Sequence, residues 1–115
     1  FESKPIFEWA NRIQASGINL PINVGVAGPA KLQTLIKFAI ACGVGPSLKV
    51  LQKRAMDITK LLLPYDPTDV LNELAIGKPH NPNANISNIH FLPLGGIKAN
   101  AEWISNNLTK KIMSA

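Results

Sequence analysis

Apolar residues recur with helical spacing at the start of the chain. Ile6, Trp9, Ala10 and Ile13 fall at i, i+3, i+4 and i+7, one face of a 3.6-residue period. Pro5 suits the first helical position, where a missing N–H costs nothing, and Gly17 suits a left-handed stop just past the end. The period then changes to two. Leu20, Ile22, Val24 and Val26 alternate with Pro21, Asn23 and Gly25, which predicts a strand over 20–26. Pro21 belongs near its start, because proline cannot donate to a ladder. The turn Ala27-Gly28-Pro29 opens a second helix with the stripe Leu32, Leu35, Ile36, Ala39 and Ile40, and Gly43 ends it.

A third helix is predicted from Leu48 to about Leu63, with Leu48, Leu51, Ala55, Ile58 and Leu62 on its buried side. Asp66 suits the cap of a short fourth helix with Pro67 at its first position and Val70, Leu71 and Leu74 inward. A polar loop rich in Pro and Asn covers 77–87. The second strand is expected over Asn88–Leu94, around Ile89, Phe91 and Leu92, and Gly95-Gly96 breaks it. The last helix is expected from about Lys98 to Met113, with Ala101, Ile104, Leu108 and Ile112 on one face.

The order helix, strand, tight turn, helix points to an α/β fold with a parallel sheet and crossover helices. About two strands and five helices result, with no repeat and no internal domain boundary. Parallel strands are normally covered on both faces and paired on both edges. Two strands that pair only with each other leave two rows of backbone groups open, and a buried unpaired group costs about 1–3 kcal/mol. Either helices or an unrecognised strand cover those edges, or neighbouring strands lie in polypeptide outside this chain. Phe1, standing where a start methionine would, favours the second expectation.

Composition narrows the classes. The chain has 115 residues and 46% hydrophobic residues, too apolar for a disordered tail and long enough for a core. No apolar run approaches the ~20 residues of a membrane span. No signal-peptide pattern opens the chain, and the single cysteine, Cys42, cannot form an internal disulfide, so a cytoplasmic protein is expected. Net charge is +5, which fits an anionic ligand or partner. Basic residues are scattered and not interleaved with aromatics, which argues against nucleic acid. His80, His90 and Cys42 have no metal-ligand spacing. His90 is expected to be packed within its strand and His80 to be solvated. The two Asn-x-Ser/Thr sites, at Asn85 and Asn107, carry no weight without a secretion signal.

Three segments in order resemble the methylenetetrahydrofolate reductase family. Gly17-Ile18-Asn19-Leu20-Pro21-Ile22-Asn23-Val24-Gly25-Val26 is similar to the family's penultimate strand. The helix from Pro29 to Gly43, with Lys37-Phe38-Ala39 inside it, is similar to the helix that follows. Ile89-His90-Phe91-Leu92-Pro93-Leu94 looks like the last strand. The resemblance covers nearly the whole chain and is weakest between Gly45 and Ser87. It implies that residues 1–115 form a single partial domain, the C-terminal portion of a (β/α)8 TIM barrel, with the earlier strands missing. The implied reaction reduces methylenetetrahydrofolate to methyltetrahydrofolate with NAD(P)H through FAD, in one-carbon metabolism and methionine biosynthesis. FAD would be held mainly by the missing part. No catalytic residue of the family falls in this chain, so the chain alone is expected to be inactive, and a homo-oligomer stays open.

The resemblance also singles out substrate-side residues. Phe38 lies more than about 90° off the apolar stripe of its helix. A large aromatic off the core face needs a partner, either the 45–63 segment or, as the family implies, the folate and nicotinamide site. Thr34, one turn earlier, replaces the family's glutamine and is too short to offer its paired donor and acceptor. It reads equally as a surface threonine. Gly28 sits in the first βα turn, where glycine lets a ligand approach the backbone or simply makes a tight turn. Lys98 is the cation nearest Gly96, close to where the family has an arginine. It offers a point charge to a folate tail or cofactor phosphate, or is a solvated lysine in a first turn. Two alternatives remain: a folate-dependent methyl-transfer barrel without hydride chemistry, and a small basic non-catalytic binding module.

Overall fold

The computed structural model describes residues 1–54 and 62–109. These form a mixed α/β structure with five α-helices, two strands paired in one sheet and a further pair of two-residue strands. The chain divides into two compact units, one of residues 1–26 and 67–90, the other of 27–66 and 91–115.

In the first unit, helix α1 spans Ser3–Ala15. Gly17 at φ +88° ends it: its N–H reaches Gln14 O at 3.0 Å and Ile18 N–H reaches Ile13 O at 3.3 Å. This paired closure of the last carbonyls needs a left-handed residue, which glycine adopts without strain. Helix α4, Thr68–Gly77, packs on α1. Polar clips fix both ends of the contact. The Ser3 N–H, orphaned in a first turn, donates to Glu73 Oε2 at 3.1 Å. Asn81 Nδ2 donates to Gly77 O at 2.8 Å while its Oδ1 accepts from Asn11 Nδ2 at 2.9 Å. Phe7, Ala10, Val70 and Leu74 are buried here, with Val24 and Val26 of the sheet.

The expected inward face of α1 is therefore rotated. Phe7 is buried, whereas Trp9 is 48% exposed. The contact with α4 decides this, because the Phe7 ring lies against Gly77. Helix α4 begins two residues after the expected cap Asp66; Pro67 holds the capping position without a side-chain cap, and Val70 and Leu74 are buried as expected.

Strand β1 spans Ile22–Ala27 and pairs with β4, Ile86–Leu92. Contacts rise together along both: Asn19 O accepts from Asn85 Nδ2, Ile22 N donates to Asn85 O at 2.7 Å, and Asn23 Oδ1 accepts from Asn88 Nδ2. The pair is parallel. β1 starts two residues later than expected and leaves Leu20 outside at 71% exposure. β4 starts two residues earlier than expected, because its apolar positions are not evenly spaced. Ile86, Ile89 and Phe91 are half-buried while Ser87, Asn88 and His90 are exposed, so strict alternation breaks between Ile86 and Ile89. His90 is therefore exposed rather than packed.

In the second unit, helix α2 spans Leu32–Ala41 and packs on α3, Gly45–Arg54. Leu32, Leu35 and Ala39 are buried in α2 and Leu51 in α3. Ile40, expected in the stripe, is 63% exposed. Before α2, the two-residue strand β2, Ala30–Lys31, pairs antiparallel with β3, Pro64–Tyr65. So short a ladder has no periodicity to read. Of the expected third-helix face, Ala55 and Ile58 lie outside the described residues and Leu62 is exposed. Helix α5 spans Ile97–Ile104 and continues as a π-helical turn over Ser105–Thr109; Ile112 and Met113 lie outside the described residues.

Gly77 tests the α1–α4 contact. A Cβ there would meet Phe7 Cε2 at 2.5 Å. We expect Gly77→Ala to destabilise the protein by about 1–3 kcal/mol through overpacking. Phe7→Leu in the same chain should recover part of that loss in urea unfolding, because the obstructing ring is gone.

Candidate functional site

The four residues singled out by sequence, Gly28, Thr34, Phe38 and Lys98, all belong to the second unit. Gly28 follows the last residue of β1, and Lys98 is the second residue of α5, which follows β4. Both therefore lie just past the C-terminal ends of parallel strands, where α/β folds build their ligand sites.

Thr34 and Phe38 are one turn apart on α2. The helix buries the face of Leu32, Leu35 and Ala39, so position 38 turns outward. Phe38 stays 42% exposed although α3 packs on α2, and Thr34 is half-buried. A partly open ring is available for stacking on a planar ligand. The Lys98 side chain is 90% exposed and lies 4.0 Å from Glu102, one turn on. An exposed pair of this kind is weak and leaves the ammonium accessible.

The two turns that carry this end of the sheet are locked backbone to backbone. Gly28 N donates to Leu92 O at 2.9 Å, and Leu94 N donates to the same oxygen at 2.8 Å. Gly95 packs so closely on Pro29 and Ala30 that a Cβ at position 95 would collide with Pro29 O. Gly96, at φ +107°, then opens α5 in a conformation that glycine adopts readily. The Trp103 ring sits 6.2 Å from Phe91 at 51° and anchors α5 to the end of β4.

Asn100 lies one turn before Trp103 on that helix. Its side chain takes the space into which a Cβ on Gly28 would project. The sequence reading treats Gly28 as an open approach for a ligand; the structure fills that approach with Asn100. Asn100 Oδ1 is buried and receives no hydrogen bond among the described residues. Sequence reasoning passed over this residue, since nothing in its local pattern marks it. Only contact with Gly28, 72 residues earlier in the numbering, makes it notable.

Cys42 and both histidines are exposed. Among the described residues no three of His, Cys, Asp and Glu gather as metal ligands. Among the same residues no helix is long and apolar enough to cross a membrane. The chain matches no protein-family model.

The glycine contacts rank two substitutions. Gly95→Ala meets backbone, which cannot swing aside, and should cost ~3 kcal/mol, the upper part of the overpacking range. Gly28→Ala meets mainly the tip of Asn100 and should cost less. Combining it with Asn100→Ala should be milder than the sum of the two single changes, a coupling that urea unfolding of the four chains measures.

Proposed function

We propose that this chain is the closing part of a flavin-dependent methylenetetrahydrofolate reductase, contributing the last two strands of a (β/α)8 barrel. The observation that carries the reading is the two-stranded parallel sheet. Among the described residues β1 and β4 pair only with each other. Each outer edge opens onto an apolar groove. One, of about 450 Å³, is lined by Ile6 and Trp9 of α1 and by four successive residues, Ile22–Gly25. The other, of about 360 Å³, is lined by Leu71, Leu74 and Ala75 of α4 and by Ile86–Ile89. Successive strand residues point to opposite faces, so a groove that touches four in a row runs along an edge. A row of peptide groups beside apolar side chains suits another strand, as in the interior of a larger parallel sheet.

The reading gives the C-terminal strand ends to the substrate. Phe38 stacks on the folate ring system, Lys98 meets its acidic tail or a cofactor phosphate, and Thr34 completes this wall, with Gly28 lying beneath Asn100. FAD, held by residues outside this chain, would supply the hydride relay between NAD(P)H and the folate methylene group. None of these four side chains is a carboxylate, so proton transfer falls to residues outside this chain. The resemblance in three segments, the parallel order and the position of the four residues support this reading together.

Thr34 and the missing arginine beside Gly96 favour a second reading, a barrel that uses folate as a methyl acceptor without hydride transfer. Purification of the full-length protein separates the two. A yellow protein that oxidises NAD(P)H and forms methyltetrahydrofolate supports the reductase, and a colourless one supports methyl transfer. In the reductase, Phe38→Ala should raise KM for folate roughly tenfold, the value of one lost stacking contact of ~1.4 kcal/mol. The 115-residue chain alone should bind no FAD. Flavin binding and electron-acceptor reduction by that chain alone would refute the assignment. Cooperative melting of the chain alone, with salt-sensitive binding to an acidic partner, would favour the basic module instead.

A further inference from the structure

We propose that Asn100 is a ligand-reading residue, whose carboxamide meets the N–H and C=O of a ring lactam seated over Gly28. The location rests on the reading above; the role rests on the surroundings of Asn100 itself.

Gly28 does not have a positive φ. No backbone strain therefore requires glycine at that position, and the requirement is one of space. That space is occupied by Asn100 Oδ1, the buried side-chain N/O atom that lacks a partner among the described residues. An unsatisfied buried acceptor costs about 1–3 kcal/mol, and folded proteins keep few of them. A plug needed only to fill the space over Gly28 would be apolar, because an apolar group carries no such cost. The polar identity of residue 100 points to a donor that arrives from outside.

The adjacent backbone supplies none. The N–H groups of Gly28 and Leu94 are given to Leu92 O, that of Gly96 to Pro93 O and that of Asn100 to Gly96 O.

A primary carboxamide sets an acceptor beside two donors. Its match is a group with N–H beside C=O, the lactam edge of a planar heterocycle. Turning the carboxamide out of the Gly28 space exposes both ends to such an edge. The unsatisfied acceptor is then paired in the bound state and not in the free one. That difference is what lets a ligand select one arrangement over the other.

The test uses the full-length protein, with Asn100→Leu, which keeps the approximate shape and removes both polar ends. Pterin and N3-methylpterin are titrated, then riboflavin and N3-methylriboflavin. We expect the unsubstituted protein to prefer at least one parent ring over its N3-methyl form by about tenfold. Asn100→Leu should abolish that preference while the melting temperature changes little. A merely structural asparagine would weaken both members of a pair alike, and that result overturns the proposal, as does a preference that survives in Asn100→Leu. Absence of Asn100-dependent discrimination in both pairs also overturns it. Discrimination confined to the flavin pair keeps the lactam role for Asn100 and removes the folate substrate, so the two readings fail separately.

Discussion

A two-stranded parallel sheet has one inner ladder and two outer rows of peptide groups. The inner ladder of β1 and β4 is satisfied. The outer rows face grooves lined by Trp9, Ile6 and Ile22 on one side and by Leu71, Leu74 and Ile89 on the other. Much else in the first unit follows from this. Trp9 stays half-open although it sits on an amphipathic helix, because the groove beside β1 is not filled. Leaving an aromatic ring and a strand edge together at one surface is costly for a self-contained domain and ordinary for part of a larger sheet. The proposed barrel would supply a strand to each edge.

The second unit depends on a different constraint, close approach of two turns. Gly28 and Gly95 are glycine because neighbouring atoms leave no room for a Cβ, not because their dihedrals demand it. With the turns pressed together, α5 is held by the Phe91–Trp103 contact at one point and by Asn100 over Gly28 at another. Thus the residues that would meet a ligand at the strand ends are fixed by backbone packing more than by hydrogen bonds of their own. Phe38 and Thr34 reach the same unit by helix geometry, as the outward and flanking positions of a stripe that α3 covers.

Repeating patterns were legible in the sequence, and single contacts were not. The stripes of α2 and α4, the stop at Gly17 and the alternation in β1 each involve several residues or one strong backbone preference. Phe38 was legible as an outward aromatic for the same reason, since one helical period suffices to place it. The break of alternation in β4 could not be read, because Ser87 and Asn88 look like any polar pair along the chain. The exposure of His90 belongs to the same pattern. The β2–β3 ladder is too short to have a period. Asn100 gives no signal at all along the chain.

The sequence by itself determined that five helices and the two longer strands form and in which order, because those depend on local period and on glycine and proline stereochemistry. Tertiary structure alone decided which face of α1 is buried, where β4 breaks alternation and which side chain fills the space over Gly28. These depend on contacts between residues tens of positions apart. Local preference carries no information about such contacts, and packing density leaves little tolerance for alternatives.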